Sequence, residues 1–263
     1  MIEYQDKTIL ITGASSGIGE SLAIKLDKLG ANLILTARSK DKLDKLALKM
    51  NNAIVVAGDL SDRDFPQNLY DEIVSKNIEI DILINNAGFG YSGLFLDSSL
   101  DNYKEMLDLN IYGLTSLTHL FLPAMVKRGS GGIINISSLA SYQPIPYFTV
   151  YAATKAYVTS FTLGLYEEYR EKGIKVLGVC PGYTKTNFNK RASMDSTNPA
   201  TGYIMTSDTV AEQSLKAYEQ GKFLIINGAI NKFTRWFMNF IPKSLALKIA
   251  KKIIKKGLEK GNW

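Results

Sequence analysis

The chain has 263 residues, is 46% hydrophobic and carries 31 Lys/Arg against 25 Asp/Glu, a formal charge of +6. That size suits one large α/β domain whose core needs no staples, and the single cysteine, Cys180, excludes an internal disulfide framework and fits a reducing, cytoplasmic setting. The opening MIEYQDKTILITGAS lacks the basic start and long apolar core of a signal peptide, and no uninterrupted apolar run reaches about 18 residues, so no leader or spanning helix is expected.

A first strand is predicted at 7–12. It runs into Thr12-Gly13-Ala14-Ser15-Ser16-Gly17-Ile18-Gly19 and then a helix over 17–29. Glycines there allow a tight turn and a close approach of backbone to a pyrophosphate, while the helix N-terminus offers free N–H groups. The same residues could simply form a Gly-rich β–α turn. Strands follow at 32–36, 53–57, 81–85, 132–137, 175–180 and 223–227, each rich in Ile, Leu and Val with little alternation. Helices are predicted at 40–50, 65–75, 100–128, 149–172 and 207–220. This alternation implies right-handed βαβ units and a doubly wound Rossmann fold: seven parallel strands, helices on both faces, and ligands beyond the carboxyl ends of the strands. The irregular stretch 183–206, which includes Pro199, has the length of a functional lid or a disordered loop.

Within the helix at 149–172, Tyr151 and Lys155 lie four residues apart, with Ser138 thirteen residues upstream of the tyrosine. The spacing places phenol and ammonium on one helix face. A cation there is expected to lower the tyrosine pKa and make it a proton donor and acceptor for a carbonyl/alcohol pair.

With the motifs TGASSGIG, Asp59-Leu60, Asn85-Asn86-Ala87-Gly88, Asn110, Ser138, Tyr151-Ala-Ala-Thr-Lys155 and Pro181-Gly182 with Thr186, the chain resembles the short-chain dehydrogenase/reductases. The resemblance covers roughly residues 1–228, with 229–263 a more individual helical extension of the same domain. It implies that Tyr151 is the general acid/base and that Lys155 lowers its pKa and holds the nicotinamide ribose. Ser138 would hydrogen-bond the substrate oxygen, and Asn110 would hold a water connecting Lys155 to solvent. Gly13, Ser15, Ser16, Gly17, Ile18, Gly19, Asp59, Leu60, Asn86, Ala87, Gly88, Pro181, Gly182, Thr184 and Thr186 would contact the cofactor. Asp59 would meet the adenine edge, Asn86 and Ala87 the adenosine ribose, and Thr184 and Thr186 the carboxamide. Thr184 stands where relatives usually have Val or Ile. Asn85 and Ser137 are read as structural, as is the lone histidine, His119. Relatives that prefer NAD carry an acid after the second strand; here Ala37 and Arg38 stand there, with Ser39 and Lys40 nearby. A guanidinium suits a phosphate, so NADP(H) is expected over NAD(H), and no metal is called for.

From residue 231 onward there are nine Lys/Arg and one acid, leaving 22 basic against 24 acidic residues elsewhere. The basic character is therefore local, which argues against a nucleic-acid partner. Phe233, Trp236, Phe237, Phe240 and Ile241, then Leu245, Ile249, Ile253 and Ile254, form apolar stripes with lysines opposite. The extension reads either as a membrane-surface contact or as a cover for the pocket or a subunit contact. The expected function is NADPH-dependent reduction of a carbonyl, or the reverse oxidation, on a fairly apolar small molecule by a homodimer or homotetramer. A non-catalytic NADP(H)-sensing protein and a membrane-surface lipid carbonyl reductase remain alternatives.

Overall fold

Side chains alternate between two cores along the first strand, which fixes the layers of the fold. Ile9 and Ile11 enter one apolar cluster with Leu22, Leu26, Leu43 and Leu215, while Leu10 enters the other with Leu69, Met106, Leu117 and Leu165. The structure, a computed structural model, describes residues 4–186, 188 and 203–260, without the side chains of 256–260.

The strands of the main sheet are β1 (Thr8–Thr12), β2 (Asn32–Thr36), β3 (Ala53–Val55), β4 (Ile82–Asn85), β5 (Gly131–Ile136), β6 (Ile174–Cys180) and β9 (Leu224–Ile226). They lie in the order β3-β2-β1-β4-β5-β6-β9, and every pairing is parallel. Strand order reverses between β1 and β4, which opens a crevice at their carboxyl ends. Helices α1 (Gly17–Lys28), α2 (Lys40–Ala47) and α7 (Ser207–Glu219) supply one face. Helices α3 (Phe65–Ser75), α4 (Leu100–Leu107), α5 (Leu114–Arg128) and α6 (Thr149–Tyr169) supply the other. The seven-stranded doubly wound fold expected from the alternating pattern is therefore the one observed.

The helix expected at 100–128 departs from a regular α-helix. Asp108–Gly113 forms a π-helical turn between α4 and α5, and Asn110 sits within it. Such turns change the direction of side chains without ending the helix. By length and composition Leu100–Arg128 could cross a membrane, but half of its apolar window is buried, and it packs on α3 and the sheet as a core helix.

Two short strands, β7 (Thr184–Lys185) and β8 (Met205–Thr206), pair in parallel at the base of the irregular stretch. Most of the irregular stretch 183–206, including Pro199, lies outside the described residues. The C-terminal extension forms α8 (Ala229–Met238) and α9 (Lys243–Lys260), with α8 resting on the short helical turn Leu139–Tyr142.

Candidate active site

Thr12, the last residue of β1, fastens the two glycine-bearing turns that flank the crevice. Its hydroxyl accepts from the backbone N–H groups of Asn86 and Ala87, both at 2.9 Å, and Asn86 Nδ2 donates back to the Thr12 carbonyl at 2.8 Å. Gly13 then turns with φ +65°, and a Cβ there would lie 2.9 Å from Ala87 Cα. Gly17, at φ +63°, would place a Cβ 3.0 Å from Thr186 Cγ2. Helix α1 starts directly behind this turn; Ser16 makes no side-chain cap, so no cap takes up its first N–H groups, and Gly17 and Ile18 of its first turn line the crevice.

The crevice is a cavity of about 800 Å³. Gly13, Ser15, Ser16, Gly17, Ile18, Arg38, Asp59, Leu60, Asn86, Ala87, Gly88, Ser138, Tyr151, Lys155, Pro181, Gly182, Thr184 and Thr186 all line it. Two residues expected at the site do not. Gly19 is buried, and a Cβ on it would fall 2.5 Å from both the Gly13 carbonyl oxygen and Asn86 Nδ2. Its part is close packing of helix against turn, not contact with the cavity. Gly19→Ala should therefore cost roughly 1–3 kcal/mol in urea unfolding, and dinucleotide affinity should fall with it as the turn shifts. An unchanged unfolding midpoint would contradict this packing role. Asn110 is also buried behind the lining. It accepts from Phe89 N–H at 3.1 Å and donates to the Phe89 carbonyl at 2.9 Å and Thr154 Oγ1 at 3.0 Å. This side chain ties the β4 turn to α6. Gly88 leaves the space between: a Cβ there would sit 3.0 Å from Asn110 Oδ1 and 3.3 Å from Lys155 Nζ.

Helix α6 brings Tyr151 and Lys155 to the cavity on one face, as their spacing requires, and β5 delivers Ser138 opposite them. Ser138 caps the following turn by accepting from Ala140 N–H at 3.1 Å, and its hydroxyl on the same cavity favours the phenolate of Tyr151. Burial against Phe148 and Phe188 outweighs that effect and pushes the phenol up to about 12. The expected depression of Tyr151 by Lys155 is thus not what this geometry gives. Lys155 Nζ donates to the Ile136 carbonyl at 2.9 Å and stands 5.9 Å from the Tyr151 ring centre. The lysine is itself brought down to about 8, because burial disfavours its charge. Both groups are therefore held nearer to neutrality than in water.

The neighbours read as structural are so placed. Ser137 Oγ donates to the Lys155 carbonyl at 2.9 Å and lies 2.7 Å from Thr159 Oγ1, holding α6 on β5. Asn85 Nδ2 donates to Asn135 on the neighbouring strand and to Thr118 on α5, and His119 is exposed on α5. Cys180 is buried at the end of β6, where burial pushes its thiol up.

At the far end of the cavity Arg38 lies between two carboxylates, Glu105 at 3.1 Å and Asp59 at 3.5 Å. Burial alone would raise Asp59; donors from Ser61 and the Arg38 guanidinium hold it below its usual value. Ser39 and Lys42 line the same end, whereas Lys40 turns away to pair with Asp44. Among residues missed by the motifs, Phe89, Leu109, Ile145, Phe148, Tyr183 and Phe188 give the other end apolar walls, and Asn231, Thr234 and Ile254 enter from the extension. Their sequence positions carry no motif; tertiary return of the chain places them. Among the described residues no cluster of His, Cys, Asp and Glu is arranged to hold a metal.

Comparison with known proteins agrees with this architecture. Residues 7–197 match the family described as short chain dehydrogenase. The chain is 37% identical over 251 residues to the very-long-chain 3-oxoacyl-CoA reductase of Macaca fascicularis, covering 92% of this chain and 77% of the relative. It is 34% identical over 229 residues to an uncharacterized oxidoreductase of Staphylococcus aureus strain N315, covering 86% of this chain and 97% of the relative. A short-chain dehydrogenase from Sphingobium yanoikuyae in complex with NADPH superimposes with a TM-score of 0.79 at 30% identity, covering 90% of this chain and 97% of the other. One from Burkholderia phymatum in complex with NAD also gives 0.79, at 25% identity, covering 89% and 93%.

Proposed function

We propose that this chain, which belongs to the short-chain dehydrogenase/reductase family and is an oxidoreductase of carbonyl and hydroxyl groups, uses NADPH to reduce ketones borne on apolar small molecules. The convergence of Ser138, Tyr151 and Lys155 on one cavity beyond the strand ends carries this reading. The cavity fits a dinucleotide on its own geometry: a Cβ would intrude at Gly13 and Gly17, and the start of α1, with no side-chain cap on its first N–H groups, lines the same space. Bound there, the cofactor supplies the hydride. The chain's residues do the rest. Ser138 donates a hydrogen bond to the carbonyl oxygen, and Tyr151, kept protonated by its buried setting, delivers the proton to that oxygen. Lys155 places positive charge where the phenolate forms and is itself anchored by Ile136. Asn110 fixes the backbone around it. The apolar walls favour a carbonyl on a sizeable hydrophobic body, for which 3-oxoacyl thioesters are the first class to test, given the named relatives. Oxidation of NADPH across a panel of ketones graded by size and apolarity tests the reading: rates should rise with apolar bulk. A flat, inactive panel would leave a non-catalytic dinucleotide-binding protein.

Arg38 supports NADPH over NADH, and Glu105 opposes it. A 2′-phosphate must share the guanidinium with a carboxylate already 3.1 Å away. Arg38→Ala should weaken NADPH by about tenfold or more while changing NADH little, since charge-assisted bonds are among the strong ones. Glu105→Gln should instead strengthen NADPH by roughly three- to tenfold. Fluorescence titration of both nucleotides checks the pair, and an unchanged ratio in Arg38→Ala would mean that another residue reads the phosphate.

A further inference from the structure

Helices α8 and α9 have two unlike faces. The inner one belongs to the cavity: Asn231 is buried there, Thr234 and Ile254 line it, and the Arg235 guanidinium stacks 4.4 Å above the Tyr142 ring. The outer one is aromatic and bare. Phe233, Trp236, Phe237 and Phe240 are 63%, 57%, 50% and 68% exposed, and together they make the kind of contiguous apolar patch that marks an interaction surface. Their rings stack on one another, with centres 5.8 Å apart for Phe233 and Trp236, 6.3 Å for Phe233 and Phe237, and 5.0 Å for Trp236 and Phe240. On α9, Leu245 and Ile249 are exposed as well. Around it stand the exposed Lys232, Lys243, Lys248, Lys251 and Lys252.

Charge decides what such a surface meets. The extension holds nine Lys/Arg and one acid. A symmetric contact with a second copy would set this charge against itself. A bilayer containing anionic lipid complements it, and aromatic rings beside lysines are the side chains that settle at the lipid–water interface. We propose that the outer face of α8 and α9 docks on an anionic lipid bilayer. Because the inner face of the same helices lines the cavity, docking sets the cavity wall at the membrane surface, where an apolar carbonyl compound dissolved in lipid has a short path to Tyr151. That last consequence rests on the proposed reductase activity; the docking does not.

The test is flotation of the full chain with vesicles of phosphatidylcholine, with and without phosphatidylglycerol, alongside its oligomeric state in solution. The unmodified protein should float with the anionic vesicles at least about tenfold more strongly than with the neutral ones, and added salt should release it. The double variant W236S/F237S, and separately K248E/K252E, should each lose roughly tenfold or more of that binding, while NADPH affinity, read by fluorescence, stays unchanged and certifies the fold. No preference for anionic vesicles would overturn the proposal. So would W236S/F237S splitting an oligomer without altering flotation, which would assign the face to a second copy. Flotation with no ketone reduction would sustain the docking and reject only the reductase reading.

Discussion

Tyr151→Phe should reduce turnover by about a thousandfold or more, within the range that a positioned general acid contributes. NADPH affinity should stay within about threefold, because the variant removes one hydroxyl and leaves the ring packed against Phe148 and Phe188. The effect must fall on kcat. If only KM moved, the hydroxyl would be binding substrate and not supplying a proton. Rate against pH gives a second check. With the phenol pushed up to about 12, Tyr151 remains a loaded donor throughout the neutral range. Lys155, brought down to about 8, loses its charge first, so the rate of reduction should decline as pH rises through that region. A profile flat to pH 10 would show that the lysine's charge is not required.

Lys155→Met should do two opposite things. Catalysis should be nearly lost, because the cation beside the developing phenolate is gone. Stability near neutral pH should rise. Lys155 ionises near 10.5 in the unfolded chain and about 8 in the folded one, because burial disfavours its charge. Below pH 8 both states carry the proton, and the folded state bears the full desolvation penalty. Between about 8 and 10.5 the folded chain releases the proton first, so wild-type stability climbs with pH across that window. Methionine removes the penalty but also the hydrogen bond to Ile136, leaving a gain of about 1–3 kcal/mol at neutral pH. For a chain of this size that is a rise of roughly 2–4 °C in melting temperature per kcal/mol. The gap between variant and wild type should close toward pH 10. A variant that is less stable at pH 7 and equally so at pH 10 would show that the buried lysine is a structural support and not a strained functional group.

The layered fold was legible because its strands are continuous Ile/Leu/Val runs that nothing but a doubly covered sheet would bury. The cavity floor was legible for a related reason. Gly13, Gly17, Ser138, Tyr151 and Lys155 all sit at strand ends or one helical turn apart, so local spacing carries their positions. What lay hidden depends on distance. The π turn at Asp108–Gly113 leaves the helical periodicity unbroken, and its one glycine, Gly113, is tolerated inside many regular helices, so nothing local announces it. Glu105 reaches Arg38 from 67 positions downstream, so no local pattern shows the competition at the phosphate end. Lys42 and not Lys40 faces the cavity, a choice set by the rotation of α2 and the Asp44 pairing. Spacing put Lys155 beside Tyr151 but could not reveal that its ammonium would turn to the Ile136 carbonyl. The aromatic stripe of the extension was visible as a stripe; that α8 turns Asn231 and Thr234 inward and leaves the rings bare needed the packing against the turn Leu139–Tyr142.

The central claim is a hydride delivered to a carbonyl carbon while Tyr151 protonates the oxygen. Single turnover with NADPH deuterated at the transferring position, followed by mass spectrometry of the alcohol, tests it most directly. Deuterium should appear on the carbinol carbon with the wild-type chain and be absent at the same time point with Tyr151→Phe. Label transferred equally by both, or by neither while NADPH remains tightly bound, would contradict the assignment.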